Sequence, residues 1–133
     1  MSDNKLKASK DAARRILIVD DNRPWAETLK LRLEEVADYE ICIESDSRRA
    51  VTVGREFRPH CVLLDIQMPC LDGGDVAARY GRDPDLRHIP IAFLTGMLTE
   101  KEANARRKDQ HGQVFFPKMV NIPDLVKFIE TVK

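Results

Sequence analysis

Residues 16–22 read ILIVDDN, four apolar side chains followed by two adjacent carboxylates and an asparagine. Ile16, Leu17, Ile18 and Val19 have the make-up of a strand buried on both faces, where aliphatic and β-branched residues run on without polar alternation. Asp20 and Asp21 follow with no base between them. Like charges this close repel, and burying an unpaired one is costly. A chain that sets two acids at the mouth of its core needs something there to compensate them.

Working outward, the same device recurs. Residues 60–65, HCVLLD, read as a second fully buried strand that again ends in an acid, Asp65. Between the two runs, Pro24 suits the first turn of a helix, with Trp25, Leu29, Leu33, Val36 and Ala37 at helical spacing. Residues 39–44 alternate like a strand nearer a sheet edge. Ala50, Val53, Gly54 and Phe57 give a second helix its inner face, and Pro59 ends it. Pro69, Asp72, Gly73 and Gly74 mark a loop before a short helix predicted over 75–80, which Gly81 terminates. Residues 89–95 are a fourth strand. Thr99 and Glu102 have capping-box spacing and open a fourth helix over 99–108, whose Arg106, Arg107 and Lys108 favour its C-terminus and face water. Residues 113–116 are a fifth strand. Asn121 caps a last helix with Leu125, Phe128, Ile129 and Val132 on its inner face.

The bulk numbers fit one domain. With 133 residues, 43% hydrophobic and 33% charged, the chain is a soluble globular protein too short for two ordinary cores. Lys plus Arg and Asp plus Glu both total 22, so no global field points to nucleic acid or an anionic surface. The first 15 residues carry five bases and two acids, +3, which leaves −3 for the remainder. Residues 1–13 read as a polar, flexible tail and 14–133 as the domain. Cys42, Cys61 and Cys70 show no metal spacing and suit a reducing compartment rather than a disulfide framework. No stretch is long and apolar enough for a membrane, and no signal peptide is evident, so a cytoplasmic location is expected. His60, His88 and His111 show no ligand spacing and are assigned no chemistry.

Five strand–helix pairs predict an α/β fold, a parallel sheet covered by helices on both faces. In such sheets ligands sit beyond the carboxyl ends of the strands. Asp20 and Asp21 follow the first strand, Asp65 ends the third, Thr95 ends the fourth and Lys118 follows the fifth. They should therefore meet at one edge. Three carboxylates call for a cation, and oxygen ligands with positions left open describe Mg²⁺ rather than zinc. A hydroxyl at Thr95 and an ammonium at Lys118 both suit a phosphoryl group.

Taken in order, Asp20-Asp21, the run Asp65-Ile66-Gln67-Met68-Pro69 with Asp72-Gly73 beyond it, Thr95-Gly96 and Lys118 resemble the receiver domain of two-component response regulators. The resemblance runs from about Arg15 to the end. It implies the flavodoxin-like receiver fold, a five-stranded parallel sheet in the order 2-1-3-4-5 with five helices. It implies that Asp65 accepts a phosphoryl group from a phosphohistidine on a sensor histidine kinase or a histidine phosphotransfer protein. Mg²⁺ would be held by Asp21, Asp65 and the backbone carbonyl of Gln67, with Asp20 acting mainly through water. Thr95 and Lys118 would hold phosphoryl oxygens. Thr95 and Phe115 would form the switch, and a downstream protein would bind the face made by the fourth helix, strand five and the last helix. The chain would catalyse only its own phosphorylation and dephosphorylation. Gln67 and bulky Met97 would border the path of hydrolytic water, giving a phosphorylated state that lasts minutes or more.

One departure stands out. Receivers usually carry a proline after the lysine, joined by a cis peptide; here the residue is Met119, and a trans bond is expected because a non-proline cis bond costs about 2.5–4 kcal/mol. Rival readings fit less well. Gln67 stands where an aspartyl-phosphate phosphatase would want a second acid, and Asp20-Asp21-Asn22 would repel the phosphate of a flavin. A degenerate receiver serving as a docking module is the alternative to a phosphorylated one. The chain is expected to be either a single-domain regulator or the receiver portion of a larger one.

Overall fold

A computed structural model describes residues 13–96 and 114–132. Most of the N-terminal tail, Met97, the helix predicted from Thr99 with its Arg106, Arg107 and Lys108, His111 and Gln113 lie outside the described residues. The elements run β1 (Arg15–Val19), α1 (Arg23–Glu34), β2 (Glu40–Glu44), a 3₁₀ turn (Ser47–Arg49), α2 (Ala50–Phe57), β3 (Cys61–Asp65), α3 (Gly73–Arg82), β4 (Ile91–Thr95), β5 (Val114–Pro117) and α4 (Ile122–Thr131). The five strands are all parallel, in the order β2-β1-β3-β4-β5 expected from the sequence. Four α-helices fall among the described residues; the fifth expected one belongs to the segment outside them.

Strand alternation divides the core into two. Ile16, Ile18, Cys61, Leu63, Ala92, Leu94 and Phe116 face α1 and α4. Leu17, Val19, Val62, Leu64 and Phe93 face α2 and α3. Every residue of β3 is buried, as a central parallel strand demands. At roughly 1.5–3 kcal/mol for each fully buried aliphatic side chain, these two layers hold the sheet rigid and fix the positions of whatever follows each strand.

Several boundaries differ from the sequence expectation. The helix predicted over 75–80 starts earlier and ends later. Asp72 is its N-cap: its carboxylate accepts the Asp75 N–H at 2.9 Å, while the Asp75 carboxylate accepts the Asp72 N–H at 3.2 Å, a reciprocal capping box. Gly81 does not terminate it. One interior glycine costs only about 1 kcal/mol, less than the burial of Val76 and Tyr80 returns. In the other direction, α1 ends at Glu34, so Val36 and Ala37 pack on the core from the turn that follows it rather than from the helix. The strands predicted over 39–44, 60–65 and 89–95 begin one or two residues later, and the strand predicted over 113–116 extends to Pro117.

His60, given no role from sequence, has a structural one. Its Nδ1 accepts the Arg15 N–H at 2.8 Å, and the Arg15 guanidinium donates to the Phe57 and Arg58 carbonyls at 3.1 and 2.8 Å. These bonds close the C-terminus of α2, where Arg58 adopts a left-handed φ of 52°.

Candidate functional site

The carboxyl edge of the sheet brings the predicted residues together. Asp20 directly follows β1, Asp65 closes β3, Thr95 closes β4 and Lys118 directly follows β5. The register sets Asp65 opposite Leu94 and Thr95 opposite Pro117. Two backbone bonds lock the loop starts: Asp20 N–H donates to the Glu44 carbonyl at 3.1 Å, and Lys118 N–H to the Thr95 carbonyl at 2.9 Å.

Asp20, Asp21 and Asp65 each offer a carboxylate oxygen within 4.8 Å of the others. Asp20 is fully buried and Asp65 almost so, whereas Asp21 is exposed. The Asp20 carboxylate is aimed by its own turn, one oxygen accepting the Asn22 N–H at 2.8 Å. Its other oxygen, Oδ2, is buried without a hydrogen bond. The ammonium of Lys118 lies 2.8 Å from it, close enough in distance but off the hydrogen-bonding direction, so the contact is an ion pair. The same ammonium lies 3.4 Å from Asp65 Oδ2, and the other Asp65 oxygen accepts the Gln67 N–H at 3.3 Å.

Counting formal charges, three carboxylates against one ammonium leave −2 in a space of a few ångströms when all are ionised. The electrostatics record the imbalance. Burial first, then the neighbouring Asp20 carboxylate, push the Asp65 pKa up to about 6, although Lys118 and the Gln67 N–H pull the other way. Burial works against the Lys118 ammonium, but pairing with Asp20 and then Asp65 holds its pKa above the usual lysine value. A buried carboxylate oxygen that takes no hydrogen bond and meets only the Lys118 ammonium, an all-oxygen donor set and a deficit of two positive charges fit a hard divalent cation.

The loop after β3 is shaped for close packing. A side chain at Gly73 would place its Cβ 2.5 Å from the Asp65 carbonyl and 2.8 Å from Ile66 Cα, so only glycine lets α3 begin against the backbone of Asp65. Within this loop Cys70 takes a left-handed φ of 70°. The hydroxyl of Ser47, buried at the 3₁₀ turn, straddles it, donating to the Pro69 carbonyl at 3.0 Å and accepting the Leu71 N–H at 3.2 Å. Thr95 is buried at the end of its strand, and Phe115 is half-buried with its ring stacked on Phe93 at 5.3 Å.

Sequence reasoning missed Ser47 and, more tellingly, Trp25. The Trp25 ring centroid stands 4.9 Å from the Lys118 ammonium. Its signal was present: Trp25 occupies the first turn of the helix that starts immediately after the acid pair. The Lys118–Met119 peptide is trans, as expected without proline. A cleft of about 220 Å³ lined by Arg15, Arg58, His60 and Pro90 lies at the opposite, amino edge of the sheet.

Comparison with known proteins agrees with this geometry. Residues 16–130 match the family described as response regulator receiver domain. The polar-differentiation response regulator DivK of Brucella anthropi is 31% identical over 119 residues, covering 89% of this chain and 92% of that protein. The signal receiver domain of a signal transduction histidine kinase from Syntrophus aciditrophicus superposes with a TM-score of 0.72 at 31% identity, covering 89% and 88% of the two chains. That of a DNA-binding response regulator from Colwellia psychrerythraea gives 0.74 at 28% identity, covering 88% and 95%. A parallel sheet in this order, an acid cluster at its carboxyl edge and a family match across both make the chain a member of the response regulator receiver domains, the phospho-accepting modules of two-component signalling.

Proposed function

We propose that Asp65 is the phospho-acceptor and that a phosphohistidine on a sensor histidine kinase or a histidine phosphotransfer protein is the donor. A carboxylate oxygen of Asp65 attacks phosphorus in line; the new O–P bond forms as the N–P bond breaks, and the departing imidazole keeps the electron pair. Mg²⁺ would be held by Asp21, Asp65 and the Gln67 carbonyl, with Asp20 beside it, and when bound it supplies charge neutralisation for the incoming phosphoryl oxygens. Lys118 and the Thr95 hydroxyl hold those oxygens. Asp65 is preset by its strand end and by the Gln67 N–H, so little reorganisation is needed. The observation that carries the reading is the cluster of three carboxylates within 4.8 Å met by a single ammonium, which leaves a net charge of −2 for a cation to offset. Output would pass through Thr95 and Phe115 to a partner on the face built by the helix predicted over 99–108, β5 and α4.

Incubation with acetyl phosphate and Mg²⁺ tests the chemistry. The wild type should form an acid-labile, hydroxylamine-sensitive adduct that Asp65→Asn does not form. Asp21→Ala should raise the Mg²⁺ concentration needed, and Asp20→Ala should do so less. Undiminished labelling of the Asp65→Asn protein would refute the assignment.

A further inference from the structure

Lys118 poses a problem of aim. Its backbone is fixed by the bond to the Thr95 carbonyl at 2.9 Å. Beyond Cα stands a four-carbon stem with no following proline to bias it, and the next residue, Met119, is 93% exposed. The ammonium is held on one side by Asp20 at 2.8 Å and Asp65 at 3.4 Å. Both of those partners belong to the acid cluster, so a cation bound there competes directly for their charge. An aim that depends on them alone would weaken at the moment the site is loaded.

Trp25 is the neighbour that a metal cannot take. Its indole face lies 4.9 Å from the Lys118 ammonium, within the range where a ring quadrupole attracts a cation. Its own placement is tied to the acid loop. Asn22 caps α1 by accepting the Trp25 N–H at 3.1 Å, and the Asn22 N–H in turn binds the Asp20 carboxylate at 2.8 Å. One short run therefore sets the carboxylates and the ring in a fixed relation. Half-buried, Trp25 also rests on the core beneath α1 and α4.

Resting on the phosphoryl-site reading of Lys118, we propose that Trp25 is a positioning residue: its indole face keeps the Lys118 ammonium over the acceptor carboxylate when the acid cluster is occupied. Trp25 touches neither substrate nor metal in this scheme and acts through the lysine alone.

Two measurements on the full chain decide it. By NMR, the Lys118 side-chain methylene protons next to the ammonium should sit upfield of those of other lysines, with and without Mg²⁺, and return to the common position in Trp25→Leu. Absence of that ring shift overturns the proposal. Phosphorylation by acetyl phosphate supplies the functional arm, as a double-mutant cycle. Trp25→Leu should slow the reaction by about three- to tenfold in the wild-type background and leave it unchanged in the Lys118→Met background. Trp25→Phe, which keeps an aromatic face and the core packing, should recover most of the rate. Equal slowing by Trp25→Leu in both backgrounds would show that the indole matters only as packing, and would overturn the proposal. If Lys118→Met itself leaves the rate unchanged, the phosphoryl role given to Lys118 fails, and a ring shift that survives then stands as a contact without a catalytic purpose.

Discussion

Replacing Asp65, the proposed acceptor, by its neutral isostere should stabilise the metal-free protein, and only above a certain pH. Asp65 has its pKa raised from 3.8 to about 6 by burial and by Asp20. In the folded state it holds a proton that the unfolded chain has already released, so the site's contribution is full below pH about 4 and is lost as pH climbs through 6. A rise of about 2 in pKa corresponds to roughly 3 kcal/mol at most, at about 1.4 kcal/mol each. Water at this sheet edge screens part of that, leaving about 1–2 kcal/mol. Asp65→Asn removes the penalty at every pH. Its amide oxygen can still accept the Gln67 N–H, and Lys118 keeps the nearer partner at 2.8 Å, so the losses are smaller than the gain. In metal-free buffer at pH 8, Asp65→Asn should unfold about 3–8 °C higher than wild type, while near pH 4 the two should coincide. Mg²⁺ should narrow or reverse the order, since a ligand at 100 times its Kd adds about 2.7 kcal/mol to the protein that binds it. Calorimetry across pH 4–8 is the assay. A difference that stays constant with pH, or an Asp65→Asn protein less stable at pH 8, would refute the reasoning.

Two further expectations follow from the same geometry. Mg²⁺ affinity, read by titration calorimetry, should fall as pH drops through about 6, approaching tenfold per pH unit, because protons compete for Asp65; a flat profile would exclude Asp65 as a ligand. Gly73→Ala should cost about 1–3 kcal/mol in urea unfolding, since its Cβ would lie 2.5 Å from the Asp65 carbonyl, and should also slow phosphorylation by displacing the acceptor; an alanine variant of wild-type stability would show that this contact yields freely.

What the sequence disclosed and what it withheld divide along a physical line. The buried strands announced themselves through continuous apolar runs, and parallel topology then carried Asp20, Asp65, Thr95 and Lys118 to one edge without further information. Sheet order came from resemblance, because nothing in a run such as residues 60–65 names its neighbour. The start of α3 was misplaced by reading Asp72, Gly73 and Gly74 as loop residues, when Asp72 and Asp75 cap each other and Gly73 is demanded by contact with a distant strand. Contacts made across the fold were the hardest to see. Trp25 looks like any apolar residue at helical spacing, and only the assembled sheet shows that its ring stands against an ammonium 93 positions away, at Lys118. Ser47 likewise gives no local sign that it will straddle Cys70.

The charge at the site also indicates how a signal could leave it. With a divalent cation added, the three carboxylates and Lys118 sum to zero; converting the Asp65 carboxylate into an acyl phosphate adds a further negative charge to a largely buried cluster. Two groups can answer, Lys118 and the Thr95 hydroxyl, and the 2.9 Å bond from Lys118 N–H to the Thr95 carbonyl couples their strands. Phe115 stands three residues before Lys118 on β5, half-buried and stacked on Phe93 at 5.3 Å. Turning it inward gives up that stacking, about 0.5–1.5 kcal/mol, which lies within the roughly 1–3 kcal/mol that coupling between sites commonly provides. The switch is thus energetically within reach, and we expect it to operate. Beryllofluoride with Mg²⁺, as a phosphoryl mimic, should shift the ring resonances of both Phe93 and Phe115 and the amides of β5. Phe115→Leu should still be phosphorylated at the wild-type rate while the shifts along β5 shrink. Changes confined to the neighbours of Asp20, Asp21 and Asp65, with the two rings unmoved, would show that the phosphoryl group is sensed by some other route.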